Sequence, residues 1–340
     1  MMSADDVLLE IRDLVVEVPT GNGVARAVDG VSLKVRVGEA VGLVGESGSG
    51  KTLTLRAVLR LLPPGVRIRS GQILWKGRDL TALDSHQMAI ARRSGIAMIF
   101  QEPMTALNPV MRVGAQIVDG ARRRRGWSRS EASDHAIDML KKMGVPDPEQ
   151  RVNAYPHELS GGLSQRVMIA AAIAAEPELL LCDEPTTALD VTIQDQIVTL
   201  LAELTRELGT SVLYVTHDLA VVAQLCQRVN VMYAGMVLEC GDVADTFRSP
   251  LHPYTLGLMQ ATPNVDDASA ELVAIPGSAP MVDARPSGCP FAPRCGWVRD
   301  DCKQDRPPLR SLPGGRQTAC LHYEALLVDR GRGLRHVEPA

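Results

Sequence analysis

The string Gly45-Glu46-Ser47-Gly48-Ser49-Gly50-Lys51-Thr52 lies between an apolar run, Ala40 to Val44, and the stretch TLTLRAVLRLL, whose apolar residues recur at helical spacing. That order predicts a strand, a glycine-rich turn and a helix, a unit that can do little except wrap an anion. Glycines let backbone N–H groups close around phosphate oxygens, and the following helix N-terminus adds a favourable dipole. Gly45, Ser47, Gly48 and Gly50 form the cradle, Lys51 bridges the β- and γ-phosphates, and Thr52 takes a magnesium position. ATP and Mg2+ are therefore the expected ligands.

A second apolar run, LLLC at 179–182, ends in Asp183-Glu184. It reads as a strand buried in a parallel sheet, with two carboxylates at the edge where open α/β sheets place ligands. A magnesium-dependent nucleotide hydrolase needs one carboxylate on the metal side and one to orient and deprotonate water. Asp183 suits the first role and Glu184 the second. Gln101 follows the strand-like stretch IAMIF and is placed to meet the metal and a neighbouring protein. Asp190 follows the acidic pair closely, and His217 ends the strand-like SVLYVT.

These residues, with LSGGLSQR at 159–166, resemble the ATP-binding subunits of ABC transporters over most of the chain. The resemblance implies a P-loop ABC-type α/β fold: a RecA-like core, an antiparallel β layer over residues 7–44 and a helical subdomain over about 103–170. It implies that two such subunits face each other head to tail, Ser160, Gly161 and Gly162 of one meeting the γ-phosphate on the other through a helix N-terminus. Hydrolysis then requires closure of the pair. Gln101 becomes the sensor loop glutamine, Asp190 the residue coupling the two sites, His217 the switch histidine and Glu184 the catalytic base. A groove beside Gln101 receives a short helix of the membrane permease. The chain departs from the family at Leu163-Ser164 in the signature. It also carries Val18 where an aromatic usually stacks on adenine, in a chain with only 3% aromatic residues, so weaker base selectivity is expected.

The length of 340 residues suits one large domain, 1–250, plus an extension, 251–340. The net charge of −4 gives no reason to expect a nucleic-acid partner. The start, MMSADDVLLE, lacks the apolar centre of a secretory signal, and no apolar stretch approaches the ~18 residues that span a bilayer. The expected location is peripheral, on the cytoplasmic face of the membrane. The basic run Arg122–Arg125 with Arg129 reads as a solvated loop, or as a contact with lipid head groups.

Beyond residue 250 the segment is rich in proline and holds Cys289, Cys295, Cys302 and Cys320, spaced C-x5-C-x6-C-x17-C. Four thiolates in a segment with little apolar content suit a closed metal site, zinc or iron–sulfur, that substitutes for a core. Cys182, Cys226 and Cys240 read as small core residues. HPYT and GCPFAPRC resemble the C-terminal extension of the dipeptide and oligopeptide branch of ABC importer ATPases, and that resemblance implies a [4Fe–4S] cluster over zinc. CDEPTTALDVTIQ resembles the first of the two unlike ATPases such importers pair, which implies a heterodimer. The expected partners are a second homologous ATPase, two transmembrane permease subunits and an extracytoplasmic substrate-binding protein. The function so implied is ATP hydrolysis powering import of peptides or a related small solute. The alternative is a soluble ABC ATPase of nucleic-acid repair or translation, whose members usually carry two cassettes or large insertions.

Overall fold

The computed structural model describes residues 6–21, 23–93, 95–186, 191–262 and 273–328. Its strands are β1 (Val7–Thr20), β2 (Gly23–Arg36), β3 (Ala40–Val44), β4 (Arg67–Trp75), β5 (Arg78–Asp79), β6 (Ile96–Ile99), β7 (Leu179–Asp183), β8 (Ser211–Thr216), β9 (Arg228–Tyr233), β10 (Met236–Asp242), β11 (Arg310–Ser311) and β12 (Gln317–Thr318). The helices that follow β3 and β5 are α1 (Lys51–Val58) and α2 (Ser85–Arg93). Between β6 and β7 lie α3 (Pro103–Ala106), α4 (Val113–Arg125), α5 (Arg129–Lys142), α6 (Pro148–Arg151) and α7 (Gly161–Ile173). The remaining helices are α8 (Val191–Leu208), α9 (Leu219–Leu225), α10 (Val243–Arg248), α11 (Pro253–Gln260) and α12 (Tyr323–Val328). Contacts divide the chain into two compact units.

One unit comprises residues 9–34, 41–81 and 215–340. Its first sheet has the order β2-β1-β4-β5, with β1 antiparallel to β4 and β4 antiparallel to β5. Along β2, buried Val31 and Leu33 alternate with exposed Ser32 and Lys34, the period-two pattern of a sheet with one wet face. In the other sheet β3 runs parallel to β9, Val44 opposite Val231. All of β3 is buried, as its unbroken apolar run requires. The strands β9 and β10 form a hairpin whose turn residues, Ala234 and Gly235, both have positive φ. The short strand β12 extends that ladder on β10, and β11 pairs with β12.

The extension was expected to lack a core, and here the structure differs. Tyr233, Tyr254 and Phe291 are fully buried and pack with ring centroids 4.6–5.4 Å apart, and His252 lies 5.9 Å from Phe291. Tilted and edge-on aromatic contacts of this kind add to the area they bury. Glu239, fully buried on β10, accepts hydrogen bonds from the Leu251 and His252 amides and from Arg316 at 2.8 Å. A handful of aromatic rings and ion pairs such as Arg316–Glu239 therefore anchor the segment, too thinly spread in sequence to register as apolar content. The compact unit includes residues on both sides of residue 250.

The other unit comprises residues 1–8, 35–40 and 82–214. In it β6 lies parallel to β7, from Ile96 opposite Leu179 to Ile99 opposite Cys182. The helix α5 opens on a reciprocal capping box, Ser128 with Glu131, closes on Lys141 and Lys142, and buries Ala132, Ala136, Met139 and Leu140 at three- and four-residue spacing. The basic run 122–125 is not a loop: it forms the last turn of α4, stopped by Gly126 in the left-handed conformation. Arg125 pairs with Glu176, and its guanidinium lies 5.8 Å from the Trp127 ring. Among the described residues no helix is long and apolar enough to cross a membrane.

Candidate functional site

The phosphate loop forms in the unit that holds β3. Gly45 and Gly50 have φ of 156° and 103°, and a Cβ on Gly45 would stand 2.0 Å from the Met232 carbonyl oxygen. The loop is thus pressed against β9 closely enough that only glycine fits. At Gly48 (φ 77°) nothing lies within 4 Å, so glycine there serves conformation alone. The Ser49 carbonyl accepts from the Gly235 amide at 2.8 Å, which ties the loop to the β9–β10 turn. Lys51, buried at the start of α1, donates to the carbonyls of Gly45 (2.7 Å) and Glu46 (3.1 Å), while Thr52 is half-exposed beside it. A short helix beginning at a cradle of turned amides is the arrangement that binds phosphate.

Two residues at the loop escaped the sequence reading. The Tyr254 hydroxyl accepts from the Glu46 amide at 2.8 Å, and burial pushes that phenol's pKa upward. Arg294 meets the Glu46 carboxylate with both arms of its guanidinium, at 2.7 and 3.0 Å. The signal in the sequence is the tyrosine of HPYT and the arginine inside GCPFAPRC, strings that mark the family without showing which residue each one touches. In the same unit His217, exposed, follows β8, and the next residue, Asp218, caps α9 by accepting from the Ala220 amide.

In the other unit, parallel pairing carries Gln101 and the pair Asp183-Glu184 to one edge, since Gln101 lies just past the C-terminal end of β6 and Asp183 is the last residue of the neighbouring β7. Asp183 is fully buried, whereas Glu184 is half-exposed with φ of 44°. A glutamate in the left-handed region is uncommon and is held there by its surroundings, a form of strain that clusters at functional sites. Gln165, buried in α7, donates to the Pro185 carbonyl and so ties the helix that opens on LSGG to the acidic turn. Ser160 caps α7, its hydroxyl accepting from the Leu163 amide at 3.4 Å. Nothing lies within 4 Å of a Cβ placed on Gly161 or Gly162, so this helix start is open to an incoming group. Asp190 lies outside the described residues. Val18 is half-buried near the end of β1.

The residues expected to meet Mg2+ each carry an oxygen donor: a hydroxyl on Thr52, a carboxylate on Asp183 and an amide oxygen on Gln101. All are hard oxygen ligands of the kind that ion prefers.

A phosphate loop pressed on a parallel strand, an acidic pair ending another and an open LSGG helix start define a nucleotide-hydrolysing cassette. Residues 28–187 match the ABC transporter family, and residues 238–302 match the oligopeptide/dipeptide transporter C-terminal region. The chain is 46% identical to the oligopeptide transport ATP-binding protein OppD of Salmonella typhimurium over 316 residues, 93% of this chain and 94% of that one. It is 44% identical to the dipeptide transport ATP-binding protein DppD of Escherichia coli, over 96% of this chain and 98% of that one. Among solved structures, the dimeric structure of the bacterial ABC transporter cassette MJ0796 superposes with a TM-score of 0.63 at 29% identity, covering 69% of this chain and 98% of that cassette. The same cassette in a post-hydrolysis state bound to ADP and Pi matches equally. The chain belongs to the ATP-binding proteins of the oligopeptide and dipeptide ABC transporters.

Two expectations are corrected. The first is the iron–sulfur cluster on Cys289, Cys295, Cys302 and Cys320, with zinc as its alternative. The relatives are described as ATP-binding proteins of peptide transport, with no metal centre in that description. The four cysteines do line one small cavity of about 20 Å³, together with His252 and Phe291. Burial pushes the Cys295 and Cys320 thiols up to about 12 and raises that of Cys289. Among the described residues, the ligand atoms that converge within 4.8 Å belong to Asp301, Cys302 and His322, and the His322–Asp301 contact at 2.9 Å accounts for that approach. Spacing alone does not separate thiols that line a small cavity from thiols around a metal. The second correction concerns the heterodimer. The relatives' descriptions carry no unlike pair, and the solved cassette is a dimer of one named cassette.

Proposed function

We propose that this chain is the ATPase of a peptide importer: it binds and hydrolyses ATP in a head-to-tail pair of cassettes and drives transport through membrane permease subunits supplied by other chains. The observation that carries this reading is the likeness to peptide transport ATP-binding proteins over nearly the full length of both chains. The functional division is a cassette over 1–250, its helical subdomain over about 103–170, and an extension over 251–340.

Within the cassette, Gly45, Ser47, Gly48, Gly50 and Lys51 hold the phosphates, and Thr52, Asp183 and Gln101 supply magnesium's protein ligands. That ion, when bound, offsets charge on the phosphate oxygens. Glu184 orients and deprotonates the attacking water, and His217 steadies the γ-phosphate end. Ser160, Gly161 and Gly162 complete the facing cassette's site, with Asp190 linking the two. The openness around Gly161 and Gly162 supports that role. The dimer recorded for the MJ0796 cassette supports a paired arrangement here.

Close to Gln101 in sequence, apolar Met104 and Val110 are 53% and 80% exposed. They supply the surface on which a permease helix docks, holding the chain at the cytoplasmic face of the membrane. An extracytoplasmic binding protein delivers the peptide.

The test is Glu184→Gln. Removing the base lowers steady-state hydrolysis by ~10²-fold or more while leaving ATP binding and ATP-dependent association intact. Substantial residual turnover overturns the role given to Glu184. Mass spectrometry of what the trapped variant retains from its own membranes completes the test. Polytopic permeases support the importer, whereas ribosomes or nucleic acid without a membrane subunit overturn it.

A further inference from the structure

Arg294 belongs to the extension but spends its guanidinium on the phosphate loop. Its side chain is only 7% exposed. Two of its nitrogens grip the Glu46 carboxylate at 2.7 and 3.0 Å. The third, Nε, donates to the Pro276 carbonyl at 2.7 Å, and the arms also reach the Tyr233 hydroxyl at 3.2 Å and the carbonyls of Gly277 and Ile275 at 3.3 and 3.4 Å. The guanidinium carbon lies 5.7 Å from the Tyr233 ring and 5.9 Å from that of Phe291. A planar fork satisfied on every edge is fixed in place, which lysine could not reproduce.

Glu46 is the second residue of the loop, directly after Gly45 and five before Lys51. A carboxylate there is an awkward neighbour for a triphosphate, because like charges repel. The observed geometry removes the difficulty twice over. The two-point contact neutralises the carboxylate, and it draws Glu46 toward Arg294 and the aromatic cluster while the Tyr254 hydroxyl holds its amide.

We propose that Arg294 is a positioning residue for ATP binding: by clamping Glu46 it neutralises and fixes the phosphate loop, and so makes the C-terminal extension a working part of the nucleotide site. The effect scales with phosphate charge, large for ATP, smaller for ADP and negligible for adenosine. It rests on Gly45–Thr52 being the phosphate loop.

The experiment titrates the full-length chain, as wild type, R294M, E46Q and R294M/E46Q, with Mg-ATP, Mg-ADP and adenosine, and records thermal melting of each. R294M raises the ATP dissociation constant about tenfold, as loss of a charge-assisted contact does. It leaves adenosine binding unchanged, and R294M/E46Q returns within about threefold of wild type. R294M binding ATP as wild type does overturns the proposal. So does a double variant as weak as R294M, which would mean that Arg294 acts through its other partners. Equal losses for ATP and adenosine also overturn it. Should R294M fail to melt cooperatively, R294K, which keeps the charge and loses the two-point grip, takes its place: weaker ATP binding with adenosine binding unchanged supports the clamp, and ATP binding as in wild type overturns it. Lys51→Ala in the same titration separates the two readings, since wild-type ATP binding by that variant sinks the phosphate-loop assignment itself.

Discussion

Gly45 and Gly48 belong to one motif but answer to different constraints. A methyl at Gly45 collides with the backbone of β9, and backbone cannot yield as a flexible side chain can. At Gly48 the space is open and only the positive φ opposes a side chain, at a cost of about 1 kcal/mol. Gly45→Ala therefore abolishes ATP binding, and Gly48→Ala weakens it by tenfold or less with the fold retained. Isothermal titration beside circular dichroism checks both, and equal behaviour of the two variants would contradict the distinction. The motif's spelling shows that glycines are needed but not which neighbour enforces each. Glu184 makes a similar point. Its place at a strand end was legible from LLLC followed by two carboxylates, whereas its left-handed backbone depends on the turn that Gln165 grips from α7.

Strands and helices with strong local signals were readable without coordinates. The apolar runs before Gly45, Gln101, Asp183 and His217 are β3, β6, β7 and β8, and the three- and four-residue spacing of EASDHAIDMLKKMG is α5. Elements made by distant partners were not readable. The short β12 exists because β10 offers it an edge, and α11 is fixed by His252, whose Nδ1 accepts from the Tyr254 amide at 3.0 Å. That histidine is buried and its pKa falls to about 3, because the enclosing rings and cavity wall disfavour the cation. A base with a folded pKa below its ordinary 6.5 stays neutral when folded but takes a proton on unfolding. Its contribution is complete above pH ~6.5 and is lost as pH falls toward 3, amounting to roughly 2 kcal/mol at pH 5. His252→Asn keeps a capping acceptor and removes the titration. Denaturant unfolding at pH 7.5 and 5 should show the wild type losing that stability and the variant losing clearly less. Equal losses would place the acid sensitivity elsewhere.

The assembled chain depends on contacts that link segments far apart in sequence. Arg294 and Glu46 are separated by 248 residues, and Arg316 and Glu239 by 77. A pattern read locally has no means of pairing them. The extension shares a compact unit with the phosphate loop. The family, by contrast, was legible early, because LSGGLSQR and the phosphate loop are each specific and occur in one chain in the right order. Peptide import itself is tested most directly by uptake of labelled di- and oligopeptides into cells stripped of other peptide importers and carrying this chain as wild type or Glu184→Gln. Uptake with the wild type, and its loss with the variant at equal abundance in the membrane fraction, is the expected result. Undiminished uptake with the hydrolysis-dead variant would contradict the assignment of this ATPase as the engine of peptide transport.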